Sequence, residues 1–321
     1  MMITHAAAIT IALCLDRFIG DPPAWPHPVR WIGSFIIWLE RRLNKGKAQK
    51  LKGVLGVSAV LTVTLLVTWT VVSAGYQFHW SAGFVLETIL ITSALASKSL
   101  ADAAKEVSVP LQKGDINEAR TKLSWIVGRD TEHLSESAIA RGTIETVAEN
   151  TSDGVTAPMF WALLFGAPGI WVYKAINTGD SIVGYRNERY MKYGWASAKL
   201  DDLANWMPAR ITALLMLLTK KPASGKRAAL YKELPAQAQK HPSPNSGWGE
   251  AAVALLLHIK LGGTNTYQGV VSNRPVIGLS DRPLTVEHIE QAITIMHRTA
   301  WLFLACCWIG GIGYDFALTW R

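Results

Sequence analysis

Charge is scarce in this sequence. Lys, Arg, Asp and Glu make up 17% of its 321 residues, against roughly 25% in soluble domains. None of them falls between Lys52 and Glu87. That stretch argues against a soluble helical protein. Cysteine is scarcer still: Cys14, Cys306 and Cys307 are the only three. They lie in apolar runs, make no CxxC pair and have no metal-ligand spacing, so they read as small buried hydrophobes. The N-terminus lacks a basic n-region and a small-residue cleavage site, so Ile3 to Leu15 is expected to be a retained apolar helix. No repeat and no low-complexity tract is present. Aromatic and basic residues do not alternate as in a nucleic-acid groove, which excludes nucleic acid as a partner. Ser224-Gly-Lys226-Arg227 resembles the tail of a phosphate loop but lacks the leading Gly and a preceding strand. His5, His79, His133, His258, His288 and His297 stand alone in the sequence and read as structural or surface residues.

What is abundant is apolar. Half the residues are hydrophobic, 14 are Trp, and the net charge is +8. Val54 to Val72 alone can cross a hydrocarbon core of about 30 Å. Trp69 and Trp80 flank this run as interface anchors do. The positive charge has a local source: Arg41, Arg42, Lys45, Lys47, Lys50 and Lys52 form a basic loop before the span. It reads as a positive-inside loop that also contacts anionic lipid. The uncharged link Ser73 to Ala82 then lies outside.

These patterns predict an all-α, polytopic membrane protein with re-entrant or broken helices, in one membrane-embedded catalytic domain. Spans are expected near 3–19, 54–72, 83–100 and 299–317, the terminal ones short enough to need snorkelling flanks. Residues 155–176 are long enough to span, but Gly166-Ala-Pro168-Gly169 splits them into halves too short to cross. A re-entrant hairpin is expected there, with a protein-lined pocket. Trp206 to Leu218, with Pro208 and Arg210, reads as interfacial or re-entrant.

The polar residues cluster. In residues 141–153, Arg141, Glu145 and Glu149 share one helical face at i, i+4, i+8, and Asn150 and Asp153 follow. This cluster abuts the apolar 155–176 segment, as a reaction site at a membrane boundary would. Asn177 and Asp180 follow that segment. Asp16-Arg17 to Arg30 is a Pro-rigid loop with Asp21, His27 and two Arg; Arg17 and Arg30 suit phosphate and His27 suits proton transfer. Ion pairing at a helix end explains the loop equally well. Asp201 and Asn205 share a helical face with Asp202 beside them, hard oxygen ligands suited to Mg²⁺. Arg210 is two turns on. The competing reading makes these acids an N-terminal helix turn that complements the dipole. His241, Ser243, Asn245 and Glu250 belong to a rigid loop opening a helix at Glu250, where exposed N–H groups favour anions. A capped turn would explain that loop without function.

Taken together, DRFIGDPPAWPHPVR (16–30), RGTIETVAENTSDGVTAP (141–158), YKAINTGDSIVGY (173–185), KLDDLANWMPAR (199–210) and HPSPNSGWGEAA (241–252) resemble the CobD/CbiB family, adenosylcobinamide-phosphate synthases of cobalamin biosynthesis. Residues 261–278 continue the likeness through Gly262-Gly263, Tyr267, Gly269, Arg274-Pro275 and Gly278. The resemblance implies an ATP-dependent ligase of the bacterial cytoplasmic membrane with its site facing the cytoplasm. It would join adenosylcobyric acid to aminopropanol or its O-phosphate through an acyl phosphate, using ATP and Mg²⁺. It implies Glu145, Glu149, Asp153 and Asp180 as catalytic residues and Asp201, Asp202 and Asn205 near metal. Substrate and phosphate contacts would come from Arg17, Asp21, His27, Arg30, Arg141, Asn150, Asn177, Tyr185, Arg210, His241, Ser243, Asn245 and Glu250. The implied partners are the two substrates and the bilayer, with room for other membrane-associated late corrinoid enzymes and a second copy of the chain. A transporter is the main alternative, since broken segments flanked by polar motifs also describe transporter sites. A non-catalytic membrane sensor of the AmpE type is the other.

Overall fold

A computed structural model describes residues 2–20, 27–185 and 187–319. Thirteen α-helices and one β-hairpin account for its regular structure, α1 being Met2–Ile19, α2 Pro28–Leu43, α3 Gln49–Phe78 and α4 Trp80–Thr92. Next come α5 (Ser97–Gln112), α6 (Ile116–Ser124), α7 (Glu136–Thr151), a π-helical turn (Ser152–Thr156) and α8 (Ala157–Val183). The remainder is α9 (Trp195–Ala204), α10 (Trp206–Met216), α11 (Arg227–Ala238), α12 (Ser246–Leu257), strands β1 (Lys260–Tyr267) and β2 (Val270–Gly278), and α13 (Val286–Thr319). Five helical runs among the described residues are long and apolar enough to cross a membrane: Met2–Ile19, Gln49–Phe78, Trp80–Gln112, Glu136–Val183 and Val286–Leu318. The chain is an all-α polytopic membrane protein.

Where the sequence reads as one domain, the contacts divide the chain into two compact units, each discontinuous. The first comprises Met1–Ala96, Ala157–Asn205 and Leu304–Arg321; the second comprises Ser97–Thr156 and Trp206–Phe303. Several helix limits also move. The expected 54–72 span is part of a 30-residue helix. The expected 83–100 span falls within the Trp80–Gln112 run, which is interrupted at residues 93–96. Helix α4 ends at Thr92, and Ser93 Oγ donates to the Leu90 carbonyl at 3.0 Å, a local bond that competes with helix continuation. The last helix is 34 residues, not the short 299–317 segment. At 1.5 Å per residue it is about 51 Å long, ample for a crossing without snorkelling.

The most informative feature of the first unit is α8. It is helical on both sides of Gly166, whose φ of 63° and ψ of −153° turn the chain sharply. Trp161, before the turn, donates its indole N–H to the Ala204 carbonyl at 3.2 Å. Tyr173, after it, donates its hydroxyl to Asn205 Oδ1 at 2.8 Å. In a straight helix these two residues would be about 18 Å apart, too far to reach consecutive residues. Ala157, Tyr173 and Ala204 also share one buried cluster. Residues 157–183 are therefore a helical hairpin, and the 48-residue apolar run is not one straight span. Glu87 of α4, only 3% exposed, fixes the tip. Its Oε1 accepts the Ala167 N–H at 3.1 Å and its Oε2 accepts the Tyr76 hydroxyl at 2.7 Å. The His5 imidazole lies 3.7 Å from Glu87 and hydrogen-bonds the Leu163 carbonyl at 2.9 Å. The orphan N–H at the start of the second half is thus satisfied in a place where water cannot do so.

The second unit has an apolar core drawn from α5, α7, α10, α11, α12 and α13, including Val107, Ile144, Met216, Leu234, Leu256 and Met296. Helices α7 and α12 approach closely because Gly249 lies against the Ala148 carbonyl, where a Cβ would collide. The β-hairpin is antiparallel, pairing Lys260 with Gly278 and Tyr267 with Val270. Gln268 (φ 50°) and Gly269 (φ 78°) make its two-residue turn, which needs positive φ at both positions. The all-helical expectation misses this hairpin because Gly, Asn and Thr replace the usual apolar alternation.

Candidate active site

In the first unit, Asp180 lies in the last turn of α8, and Asp201 and Asp202 lie in the last turn of α9. The competing reading, in which Asp201 and Asp202 form an N-terminal helix turn, is therefore reversed. At a helix C-terminus the carbonyl dipoles repel carboxylates, and neither last turn contains a basic residue. Asp201 Oδ1 accepts the Asn177 amide at 3.3 Å. Burial, then the charge of Asp180, pushes the Asp201 carboxyl up to about 7. Asn205 caps α9 and receives the Tyr173 hydroxyl. Asp202 turns elsewhere: it pairs with Lys199 at 3.1 Å and helps line a cleft of about 340 Å³ with Tyr185 and Lys199. The pair brought together is thus Asp180 with Asp201, with Asn177 alongside. Among the described residues no three His, Cys, Asp or Glu side chains form a cation cage. Two carboxylates with amide oxygens nevertheless suit Mg²⁺, which takes few protein ligands and completes its shell with water and substrate phosphates.

Also in this unit, Arg17 occupies the last turn of α1, where a cation is favoured, and Arg30 the first turn of α2. His27 caps α2, its Nδ1 accepting the Val29 N–H at 3.3 Å, and its ring lies 6.4 Å from that of Trp171. Asp21 lies outside the described residues.

The second unit holds the other predicted residues. Glu145 is buried and accepts from Arg129 and from the Gly262 N–H at 2.7 Å. Arg141 donates to the carbonyls of Gly262 and Thr264 and to Asn265 Oδ1. Arg129 reaches the same Asn265 oxygen at 2.8 Å. These bonds fasten the β-hairpin to α7, so Glu145 and Arg141 are engaged by the protein itself. Glu149 is half-buried and accepts the Ser246 hydroxyl at 2.7 Å, and Ser246 in turn reaches Ser243 Oγ at 3.1 Å. Ser243 Oγ also accepts the Asn245 and Ser246 N–H groups, both at 3.2 Å. The helix begins here, at Ser246, and not at Glu250.

Glu250 lies a turn inside α12, with Oε1 3.5 Å from His241 Nε2. Burial, then Glu145 and Glu149, pushes the Glu250 carboxyl well above the usual carboxylate range. Burial pushes the His241 imidazole down, outweighing Glu149. Both shifts favour the neutral forms, and His241 Nε2 is buried without a hydrogen-bond partner. Arg210 stacks on Trp206 and Trp248, with 4.4 and 4.9 Å from its guanidinium carbon to the ring centroids. Asn150 binds its own helix at the Thr146 carbonyl. Asp153 sits half-buried in the π-helical turn, a distortion frequent at functional sites. Arg129 and Asn265 escaped the sequence reading; Asn265 lies inside the 261–278 string, but Arg129 stands in a segment with no distinctive pattern.

A protein-family model described as CobD/Cbib protein matches residues 9–296. The chain belongs to the CobD/CbiB family. A family relative named cobalamin biosynthesis protein CobD, from Halalkalibacterium halodurans, is 51% identical over 99% of this chain and 100% of its own length. Another of that name, from Klebsiella pneumoniae, is 43% identical over 92% of this chain and 94% of its own. Cobalamin biosynthesis protein CbiB of Salmonella typhimurium is 44% identical over the same shares. No solved structure matches the chain. Each polar string that carried the CobD/CbiB resemblance, except 16–30 with its undescribed residues 21–26, is placed in the structure along its whole length.

Proposed function

We propose that this protein works in cobalamin biosynthesis as an ATP-dependent amide ligase, joining a carboxylate of adenosylcobyric acid to the amine of aminopropanol or its O-phosphate. The observation that carries this reading is the Asp180–Asp201 pair. Two acids at helix C-termini are a costly arrangement that a bound cation relieves. A transporter would need no such pair beside a nucleotide-style phosphate set, and a non-catalytic sensor would need none at all.

Asp180, Asp201 and the amide oxygens of Asn177 and Asn205 would hold Mg²⁺. The ion, when bound, supplies charge neutralisation for ATP phosphates. Asn177 keeps Asp201 oriented, and Tyr173 keeps Asn205 oriented. Arg17 and Arg30, in the same unit, are the cations for phosphate groups. The corrin carboxylate oxygen attacks the γ-phosphorus of ATP and ADP leaves, giving an acyl phosphate. The amine nitrogen then attacks the acyl carbon and inorganic phosphate departs with one former carboxylate oxygen. A carboxylate base takes the ammonium proton. Glu145 and Arg141 act as positioning residues that set the hairpin against α7.

Oxygen-18 in the reacting carboxylate tests the chemistry. The expected result is one labelled oxygen in the released phosphate. Label retained wholly in the amide and water would overturn the acyl-phosphate route.

A further inference from the structure

A lengthwise groove runs between α2 and α3, closed at one end by Leu90 and Trp171. Its volume is about 430 Å³, within the roughly 300–1,000 Å³ of small-ligand pockets. The lining is apolar: Trp31, Phe35, Val63, Val67 and Val71 dominate, all in the first unit. Thr68, the polar exception with Thr64, spends its hydroxyl on its own helix at the Thr64 carbonyl, 2.7 Å away. The groove therefore has nothing to offer a polar ligand. It opens outward, since Trp31 is 63% and Val67 57% exposed.

A second observation fixes the chemistry at the groove's other end. Phe35 stacks on Trp38 with centroids 5.9 Å apart, and the Arg42 guanidinium covers Trp38 at 4.1 Å. Trp31, Phe35, Trp38 and Arg42 recur at i, i+4, i+7 and i+11, one face of α2. From Trp31 to Arg42 the rise is about 16 Å, half of a hydrocarbon core of about 30 Å. That is the depth of one leaflet. Arg42 has no carboxylate partner among the described residues. The loop beyond it adds Lys45, Lys47, Lys50 and Lys52, while Glu40 is the sole acid from Pro22 to Leu86. Glu40 is already held by Arg189 at 2.9 and 3.0 Å. This end therefore carries an excess of positive charge, which Glu188 beside Arg41 and Lys45 offsets only in part.

We infer that the α2–α3 groove is a binding site for one anionic phospholipid, its phosphate on Arg42 and an acyl chain along Phe35 and Trp31. An apolar slot about 12 Å long on α3, continued along α2 by Trp38 to a basic loop on the positive-inside side, matches that amphiphile in polarity and charge. Its phosphate end at Arg42 lies twelve residues, about 18 Å, along α2 from Arg30 of the proposed ligase.

Native mass spectrometry of the full chain in detergent, titrated with phosphatidylglycerol or phosphatidylcholine, tests this. One phosphatidylglycerol should be retained in preference to phosphatidylcholine. Arg42→Gln should weaken phosphatidylglycerol retention about fivefold, the effect of one cation near an anionic surface, and Arg42→Lys should restore most of it. Val67→Trp, which fills the groove from an exposed position, should reduce both lipids. Melting in lipid-free detergent should be unchanged in all three variants. If Val67→Trp melts early, Val71→Trp replaces it as the groove-filling variant. Equal retention of the two lipids, or retention indifferent to Arg42→Gln and to the filled groove, would mean non-specific annular lipid and would overturn the site.

Discussion

Trp161 and Tyr173, on opposite sides of Gly166, hydrogen-bond consecutive residues, Ala204 and Asn205. One apolar sequence run thus makes a hairpin whose second arm carries Asn177 and Asp180 to α9. The turn is a structural precondition of the Asp180–Asp201 pair.

Replacing Gly166 should break that precondition. Its φ of 63° costs a non-Gly residue about 1–2 kcal/mol, and a Cβ would strike the Glu87 carboxylate. Gly166→Ala should lower the melting temperature by several degrees. Glu87→Ala should do the same by leaving the Ala167 N–H unsatisfied. Unchanged melting of both variants would mean that the tip tolerates repacking.

Asp201 gives a pH signature. Its carboxyl has a folded value of about 7 against 3.8 for the free group. The folded state therefore holds the proton more tightly, and without metal its stability falls as pH rises from about 3.8 through about 7. Asp201→Asn removes this loss. The variant should melt like the native chain at low pH and above it at alkaline pH when no divalent cation is present. Saturating Mg²⁺ should reverse that order by stabilising only the native chain. A melting difference independent of pH and Mg²⁺ would detach Asp201 from any cation.

Glu145 and Arg129 are each 6% exposed as side chains. Removing one partner of such a buried pair costs about 3–5 kcal/mol. Glu145→Gln and Arg129→Met should each melt early. Asp153→Asn, in the half-buried π-helical turn, should leave melting nearly unchanged and reduce turnover. Stable Glu145→Gln protein with lost turnover would return Glu145 to a direct chemical role.

Gly184 lies against the Asp180 carboxylate, where a Cβ would displace it. Gly184→Val should weaken Mg²⁺-dependent stabilisation as Asp180→Asn does, without changing the oligomeric state of the sample. Full Mg²⁺ response in Gly184→Val would show that Asp180 is not held in place by that contact.

The membrane class was legible because long uncharged runs leave few alternatives, and the hairpin was legible because Gly166 and Pro168 interrupt one of them. The limits of α4 and α13 were not. Thr92 and Ser93 end α4 through local hydroxyl bonds, and α13 begins in a polar segment that hydropathy does not register. The β-hairpin was missed because its turn and bulge consist of residues that read as loop. Among site residues, chain spacing put Asp201 with Asp202, whereas packing puts it with Asp180. Neighbours in sequence on a helix point about 100° apart, so adjacency was the weaker guide. Arg129 was invisible because its partner lies 16 residues away across a turn.

The central proposal, ATP-dependent amide ligation, is tested most directly by reconstituting the purified protein in lipid nanodiscs. The mixture would contain ATP, Mg²⁺, adenosylcobyric acid and aminopropanol phosphate, with product identified by mass and ADP counted. The expected result is adenosylcobinamide phosphate formed in step with ADP, abolished by omitting ATP or by Asp180→Asn in a protein that still folds. No product from the complete mixture, or product at an undiminished rate without nucleotide, would contradict it.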